Sequence, residues 1–300
     1  MTHALLLLPD LLLIILGAVL CRYTSLGRPI WDAAERLVYY LLFPTLLFSS
    51  ILKSPLEPQQ TLGLAVCGVA TVALGIALAY ATRLWPGVDA RLHASGAQTA
   101  FRFNSFIALA LAERLLGAQG VAWMALVIAL CVPVCNVAAV WPLARHGGHA
   151  YGRELMRNPL IVATLAGLLA NLAGLQLPTA LNTTLHRIGL AALPLGLMAV
   201  GAGLRFGGLR ESPGFAGTLL AIRHVALPLF ALALSSWLVL PAPQRLVLVA
   251  FAALPTASSA YVLAMRMGGN GSYVAAIVTL STLLGMLSLP SWLAVLPFWP

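Results

Sequence analysis

The residues best suited to bind a solute lie in two short polar stretches inside long apolar runs. The two stretches read Gln98-Thr-Ala-Phe-Arg102-Phe-Asn104-Ser105 and Pro255-Thr256-Ala-Ser258-Ser259-Ala-Tyr261. The Arg102 guanidinium has a permanent charge and a planar fork that suits a carboxylate. The Asn104 amide adds one acceptor and two donors. These residue types indicate recognition of a small organic anion.

Both stretches lie near the middle of their apolar runs. Asn104 lies 13 residues after one arginine and 10 before the next, and Pro255 lies 10 after one and 11 before another. Since basic residues mark the two faces of a membrane, both positions are near mid-depth. Polar groups at that depth are costly and mark functional sites.

A proline at mid-depth frees backbone groups for binding. Pro255 lacks an N–H group and clashes with the preceding turn, so helical hydrogen bonding should fail near 254–258 and, in the matching stretch, near 103–106. Two interrupted helices that cross would form one site from four half-helix ends. The predicted substrate-binding residues are Arg102, Asn104, Ser105, Pro255, Thr256, Ser258, Ser259 and Tyr261.

Each candidate also has a purely structural explanation. Asn104 can bond a neighbouring helix, Pro255 can simply kink its own, and the Arg102 side chain can extend toward the cytoplasmic side. The serines can bond their own helix, and Tyr261 can pack. The matched depth of the two stretches favours binding, but these alternatives stay open at this stage.

Other polar residues have weaker cases. Asp10 lies early in the first apolar run and is a candidate for proton or ion coupling. Arg223 and His224 are expected to form a pair at the cytoplasmic interface. His146 and His149 have a metal-compatible spacing in a basic segment with no further ligand, so neither a metal nor another cofactor is predicted.

The composition places these stretches in a membrane. The chain has 300 residues, of which 8% are charged and 61% hydrophobic, and its mean hydropathy is +0.95. Because soluble domains have roughly 25% charged residues, a soluble enzyme is excluded. The net charge of +9 comes from cations that mostly flank apolar runs, so it indicates membrane topology and not nucleic-acid binding. The four cysteines lie in apolar segments and predict no disulfide framework.

Ten apolar runs follow one another along the chain, each of a length that suits a membrane-spanning helix. They are 4–21, 31–52, 60–83, 95–113, 121–144, 159–175, 180–204, 214–240, 245–266 and 272–297. They are too continuous for the alternating strands of a barrel. The fold class is therefore all-α and integral to the membrane.

Loop charges predict the orientation. Ten cations lie in the odd-numbered loops and three in the even-numbered loops, so the odd loops are cytoplasmic by the positive-inside rule and both termini lie outside. The first run lacks a basic leader and a small-residue cleavage site, which favours a first span over a signal peptide.

The chain also shows an internal repeat. An offset of 150 residues superposes three helix breakers, Pro9 on Pro159, Gly17 on Gly167 and Pro44 on Pro194. The two prolines of the last pair should distort equivalent helices. Residues 1–150 and 151–300 each contain five spans, so the second half must insert upside down. Inverted repeats are typical of secondary transporters.

The sequence lacks the motifs of catalysis. It has no HExxH, no GxSxG and no phosphate-binding loop around its single lysine, so no nucleophile–base pair or ATP site is predicted. The chain is interpreted as a transporter and not an enzyme. An integral membrane enzyme or sensor is the alternative from another class.

Several stretches, taken together in order, resemble the auxin efflux carrier family, which includes plant auxin exporters and bacterial carriers of malonate or malate. They are Leu8-Pro-Asp-Leu, Leu37-Val-Tyr-Tyr-Leu-Leu-Phe-Pro44, Phe101-Arg-Phe-Asn104, Arg157-Asn-Pro-Leu-Ile-Val, Leu193-Pro-Leu-Gly-Leu-Met-Ala-Val-Gly201 and Ala253-Leu-Pro255.

The resemblance implies a scaffold domain from the spans at 4–52 and 159–204, which also forms a homodimer. It implies a transport domain from the spans at 60–144 and 214–297, with spans four and nine broken and crossing. The family's crossover asparagine matches Asn104 and its crossover proline matches Pro255. Span four has no proline after Asn104, which leaves the extent of its unwinding open.

The function implied by residues and resemblance is secondary active or facilitative transport of a small carboxylate. Transport would take place across the bacterial inner membrane by an elevator-type movement. A sodium-coupled organic anion symporter of the bile-acid type is the alternative, because it shares a similar fold.

Overall fold

The computed structural model describes residues 3–53, 58–144, 159–204, 211–257 and 259–299. The regular structure of these residues is helical. The first half contains α1 (His3–Tyr23), α2 (Arg28–Leu37), a π turn (Val38–Leu42), α3 (Phe43–Lys53), α4 (Pro58–Ala81), α5 (Ala90–Ala97) and α6 (Ser105–Ala144).

The second half follows with eight further helices and a second π turn. They are α7 (Pro159–Leu172), α8 (Thr179–Leu190), α9 (Ala192–Ala202), α10 (Pro213–Ala221), a π turn (Ile222–Ala226), α11 (Leu227–Trp237), α12 (Ala242–Ala252), α13 (Ser259–Arg266) and α14 (Gly271–Val295). Short 3₁₀ turns cover Thr82–Leu84, Gln98–Ala100 and Leu296–Phe298.

Helix overlaps every one of the ten predicted runs. Five helical stretches are long and apolar enough to cross a membrane by themselves: Thr61–Leu84, Ser105–Leu143, Thr179–Ala202, Pro213–Trp237 and Gly271–Phe298. Within α6, Gly117 has φ 58° and ψ −145°, a conformation that favours glycine. The chain therefore turns there, which agrees with the predicted boundary between the fourth and fifth runs.

Prolines explain where the long helices become irregular. Pro44 and Pro194 cannot donate to the carbonyls of Tyr40 and Leu190. Tyr40 lies in the first π turn, and Leu190 is the last residue of α8. The prediction that each of these two prolines distorts its own helix is confirmed.

Glycines allow two helix pairs to pack backbone to backbone. Gly17 of α1 lies against the backbone of Met198 in α9, and a Cβ atom there would overlap the Met198 carbonyl. Gly167 of α7 lies against α3, where a Cβ atom would be 3.2 Å from the Phe48 carbonyl oxygen. The two glycines are 150 residues apart, and so are their two partners.

A second group of helices encloses the predicted binding stretches. The short helices α5, α12 and α13 are packed among α4, α6, α11 and α14. Phe103 and Phe251, both buried, pack edge to face with ring centroids 4.6 Å apart. This aromatic contact holds the two interrupted helical segments against each other at the point where they cross.

Candidate functional site

Two segments of extended chain cross at the centre of this helical group. Residues 101–104 separate α5 and its 3₁₀ turn from α6, and residues 253–257 separate α12 from α13. Phe103 and Thr256 form an antiparallel bridge. The Asn104 N–H donates to the Pro255 carbonyl (2.9 Å) and the Ala257 N–H donates to the Arg102 carbonyl (3.4 Å). Both interruptions lie within a few residues of the predicted positions.

Asn104 explains how the first helix breaks without a proline. Its Oδ1 atom accepts hydrogen bonds from the backbone N–H groups of Phe106 (3.0 Å) and Ile107 (3.2 Å). This is the arrangement of a helix N-cap, which satisfies donors that have no partner within the helix. Asn104 therefore starts α6, and this cap explains how the helix is interrupted without a proline.

Thr256 stabilises the crossing through buried hydrogen bonds. It is fully buried, its Oγ1 donates to the Thr99 carbonyl (2.7 Å) and its N–H donates to Ser281 Oγ (2.9 Å). The Thr99 carbonyl belongs to the end of the first half-helix, which lacks its own partners. Through these two hydrogen bonds Thr256 positions the crossover.

Arg102 is a charged group on the first segment of the crossover. Its Nη1 donates to Asn136 Oδ1 (2.9 Å) and its Nη2 donates to Ser259 Oγ (3.0 Å). Its Nε is buried without a hydrogen-bond partner. Within the described part of the chain, no carboxylate forms an ion pair with it. The half-buried guanidinium is thus held by neutral side chains, and its charge can be met by an anion.

One partner of Arg102 was missed by the sequence reasoning. Asn136 lies in the fifth run, nine residues before Arg145, so the depth count applied to Asn104 would have found it.

The other predicted residues are placed differently from one another. Ser105 is half-buried at the first turn of α6, and Ser259 is exposed beside Arg102. Tyr261 packs against a small cluster around Ala260 and Val274. Ser258 lies outside the described residues. Asp10 is part of α1, but its side chain is outside the described portion.

Pro255 lies in apolar surroundings. Its ring lies beside Gly285 and lines a small apolar cavity of about 40 Å³. Ile14 of α1 and Leu197 of α9 also line this cavity. Pro255 contributes its carbonyl group to the crossover, while Arg102 and Ser259 form the polar side.

The expected interfacial pair at Arg223 and His224 is wrong, because both side chains are buried, with exposed fractions of 1% and 5%. Arg223 binds the end of α12 through Leu254, Phe251 and Ala252. The His224 ring nitrogens contact the hydroxyls of Ser281 and Ser288. The physical reason is that the broken helix leaves carbonyls at mid-depth without water, and these draw the cation inward.

Pro228 explains why the helix around Arg223 and His224 is irregular. It removes the donor that would bind the His224 carbonyl, and Trp292 Nε1 supplies a replacement bond of 2.8 Å. The surrounding helix becomes a π turn over Ile222–Ala226. Such π turns are frequent at functional sites.

The described residues offer no cluster of three or more His, Cys, Asp or Glu that could hold a metal ion. His146 and His149, whose spacing suits a metal, lie outside the described residues. The groups that are present at the crossover supply hydrogen bonds and a positive charge.

The chain is similar to known transport proteins. The model of a family described as "Membrane transport protein" matches residues 145–293. An "Uncharacterized transporter" of Methanothermobacter thermautotrophicus is 28% identical over 297 residues, which cover 95% of this chain and 96% of that protein. A "Putative malonate transporter" of Rhizobium meliloti is 25% identical over 293 residues, covering 94% and 92%.

Proposed function

The chain belongs to the membrane transport protein family, the auxin efflux carrier family that its sequence resembles, and on that premise we propose that it carries a small organic anion. Transport is secondary active or facilitative. The carboxylate of the substrate binds the Arg102 guanidinium at the crossing of the two interrupted segments.

One observation carries this proposal. Arg102 is a half-buried cation at the crossover whose described partners are the neutral side chains of Asn136 and Ser259. A buried charge without a counter-charge is costly, and a bound carboxylate would remove that cost through a bidentate contact. Asn104 and Ser105 border the same point from the start of α6, where a helix N-terminus favours an anion.

The name of one relative narrows the substrate class. The Rhizobium meliloti protein is named for malonate transport, and malonate has two carboxylates on a short chain. Short dicarboxylates are therefore the first compounds to test on this protein. We extend the substrate class no further than mono- and dicarboxylates.

The transport movement is proposed to follow the arrangement of helices. The backbone contacts Gly17–Met198 and Gly167–Phe48, related by an offset of 150 residues, support two inverted repeats, 1–150 and 151–300. They join the spans at 4–52 and 159–204 into a scaffold. The spans at 60–144 and 214–297 would carry the crossover past it as an elevator. The apolar cavity between Pro255 and Leu197 lies along that boundary.

The membrane arrangement completes the proposal. We place the chain in a bacterial inner membrane with both termini outside, on the basis of its loop cations. The scaffold would form a homodimer. Four apolar side chains on α7 are exposed and available to a second copy or to lipid: Val162, Leu165, Leu169 and Leu172.

The test compares Arg102→Gln with Arg187→Gln, the same change at an exposed arginine of α8. Purified protein is titrated with malonate and other carboxylates, and ligand binding is read from the rise in unfolding temperature. Because hydrogen bonds to charged groups contribute about 1.5–3 kcal/mol, Arg102→Gln should weaken binding at least about tenfold. Arg187→Gln should bind normally. Equal binding by wild type and Arg102→Gln would reject the assigned site.

A further inference from the structure

A second arginine lies at the crossover and has a different environment from Arg102. The Arg223 Nε donates to the Leu254 carbonyl at 2.6 Å, and its Nη2 donates to the carbonyls of Phe251 at 3.1 Å and Ala252 at 3.2 Å. All three acceptors belong to the end of α12 or to the extended chain that follows it. A single guanidinium thus joins three backbone oxygens.

Carbonyl groups at such a position need a positive partner. The last carbonyls of a helix have no N–H partner within the helix, and the C-terminal end has about half a negative charge. Water cannot satisfy them at mid-depth in a membrane. In secondary transporters with discontinuous helices, unwound carbonyls and half-helix C-terminal ends coordinate the coupling Na⁺.

We propose that Arg223 is a covalently attached cation that takes the place of a coupling Na⁺ at the end of α12. The end of α12 is then charge-balanced at all stages of transport, and anion transport does not require sodium. This inference rests on the proposed transport function, and it favours the sodium-independent interpretation over a symporter of the bile-acid type.

The environment of Arg223 supports a fixed role. Its side chain is 1% exposed and its three hydrogen bonds go to backbone oxygens, so a substrate would have to break them to reach the charge. Among the described carboxylates, none forms an ion pair with it. The negative end of α12 is therefore the group that balances Arg223.

At the end of the first interrupted helix, the carbonyl groups are satisfied by neutral side chains. There the Thr99 carbonyl accepts from the Thr256 hydroxyl, and the Phe101 carbonyl accepts from the Cys135 thiol at 3.5 Å. The two helix ends at the crossover are therefore capped differently. The end of α12 is capped by a formally charged group, the Arg223 guanidinium, and Arg223 itself lies in the π turn.

The experiment measures thermal unfolding of the purified full chain without substrate, in the chlorides of sodium, potassium and choline. We expect the wild-type midpoint to be the same in all three salts. In Arg223→Ala, three carbonyls lose a charged donor, so the midpoint should fall by at least about 5 °C. Millimolar guanidinium or Na⁺ should restore part of that loss, and choline should not, because it cannot reach the carbonyls.

Arg102→Ala is the matched control, since it removes the same side chain from the same crossover. Its midpoint should fall less and should not respond to Na⁺. Arg223→Lys keeps the charge and should remain insensitive to sodium; it decides the question if Arg223→Ala cannot be obtained folded.

Three results would overturn the inference. They are selective stabilisation of the wild type or of Arg223→Lys by Na⁺ over K⁺, an Arg223→Ala midpoint equal to that of wild type, and a loss in Arg223→Ala that no cation restores. The last result would reduce Arg223 to a packing role. Because no substrate is present, failure here is distinguishable from failure of the anion site at Arg102.

Discussion

Asn104 allows stability and substrate binding to be separated by two substitutions at one position. The side chain is 3% exposed and satisfies the N–H groups of Phe106 and Ile107. In Asn104→Ala both donors lose their partner at mid-depth. Loss of an N-cap costs about 0.5–2 kcal/mol, and each buried unsatisfied donor costs about 1–3 kcal/mol. The expected loss of stability is therefore about 2–4 kcal/mol.

Asn104→Asp should have the opposite pattern. A carboxylate accepts the same two hydrogen bonds and is favoured at a helix N-terminus, so stability should stay close to that of wild type. Its negative charge, however, would lie only two residues along the chain from Arg102. It would therefore compete with the substrate for the guanidinium. Carboxylate binding should fall at least about tenfold, as expected for loss of a charged hydrogen bond.

The assay measures unfolding midpoints of both variants and of wild type, with and without malonate or the best carboxylate of the screen. The malonate-dependent increase in midpoint reports binding, and the ligand-free midpoint reports the cap. If Asn104→Ala unfolds at the wild-type temperature, the cap does not hold the crossover. If Asn104→Asp binds carboxylates as tightly as wild type does, the anion does not bind beside Asn104.

Two further predictions concern α1 and its contact with α9. In Gly201→Ala the new Cβ atom would overlap the Ile14 carbonyl between α9 and α1. Because overpacking costs about 1–3 kcal/mol, the unfolding midpoint should fall. The control is Gly217→Ala, where no atom lies within 4 Å of a Cβ; this change should be neutral or stabilising. In Asp10→Asn, carboxylate flux into vesicles should lose its response to an imposed proton gradient and keep its rate without one; an unchanged response would exclude Asp10 from coupling.

Much of this fold followed from the sequence, because the membrane limits the choices. Continuous apolar runs can satisfy their backbone only as helices, so the ten runs and the helical class were predictable from composition. Pro44 and Pro194 predicted helix irregularities because a missing N–H acts locally. The interruption in span four was less certain, since its signal is an asparagine cap, and the same residue type often only bonds a neighbouring helix.

The candidate site was predictable only in outline. Counting residues from the flanking arginines found Arg102, Asn104 and Pro255. This works because the depth of a residue in the membrane depends on its distance along the helix, which the sequence gives. It could not tell that the Pro255 ring lines an apolar cavity or that the Thr256 hydroxyl is used internally. Those outcomes depend on which helices are neighbours, and spacing along the chain does not determine that.

The two arginines show the division most clearly. The sequence by itself predicted that the chain crosses a membrane and where its helices break. It also predicted that a few cations lie at a depth in the membrane where a charge is energetically costly. Only the tertiary structure decided that Arg102 faces neutral side chains and stays available, while Arg223 is closed over the end of α12. The physical reason is that a buried charge takes its role from the groups around it, and those groups come from distant parts of the chain.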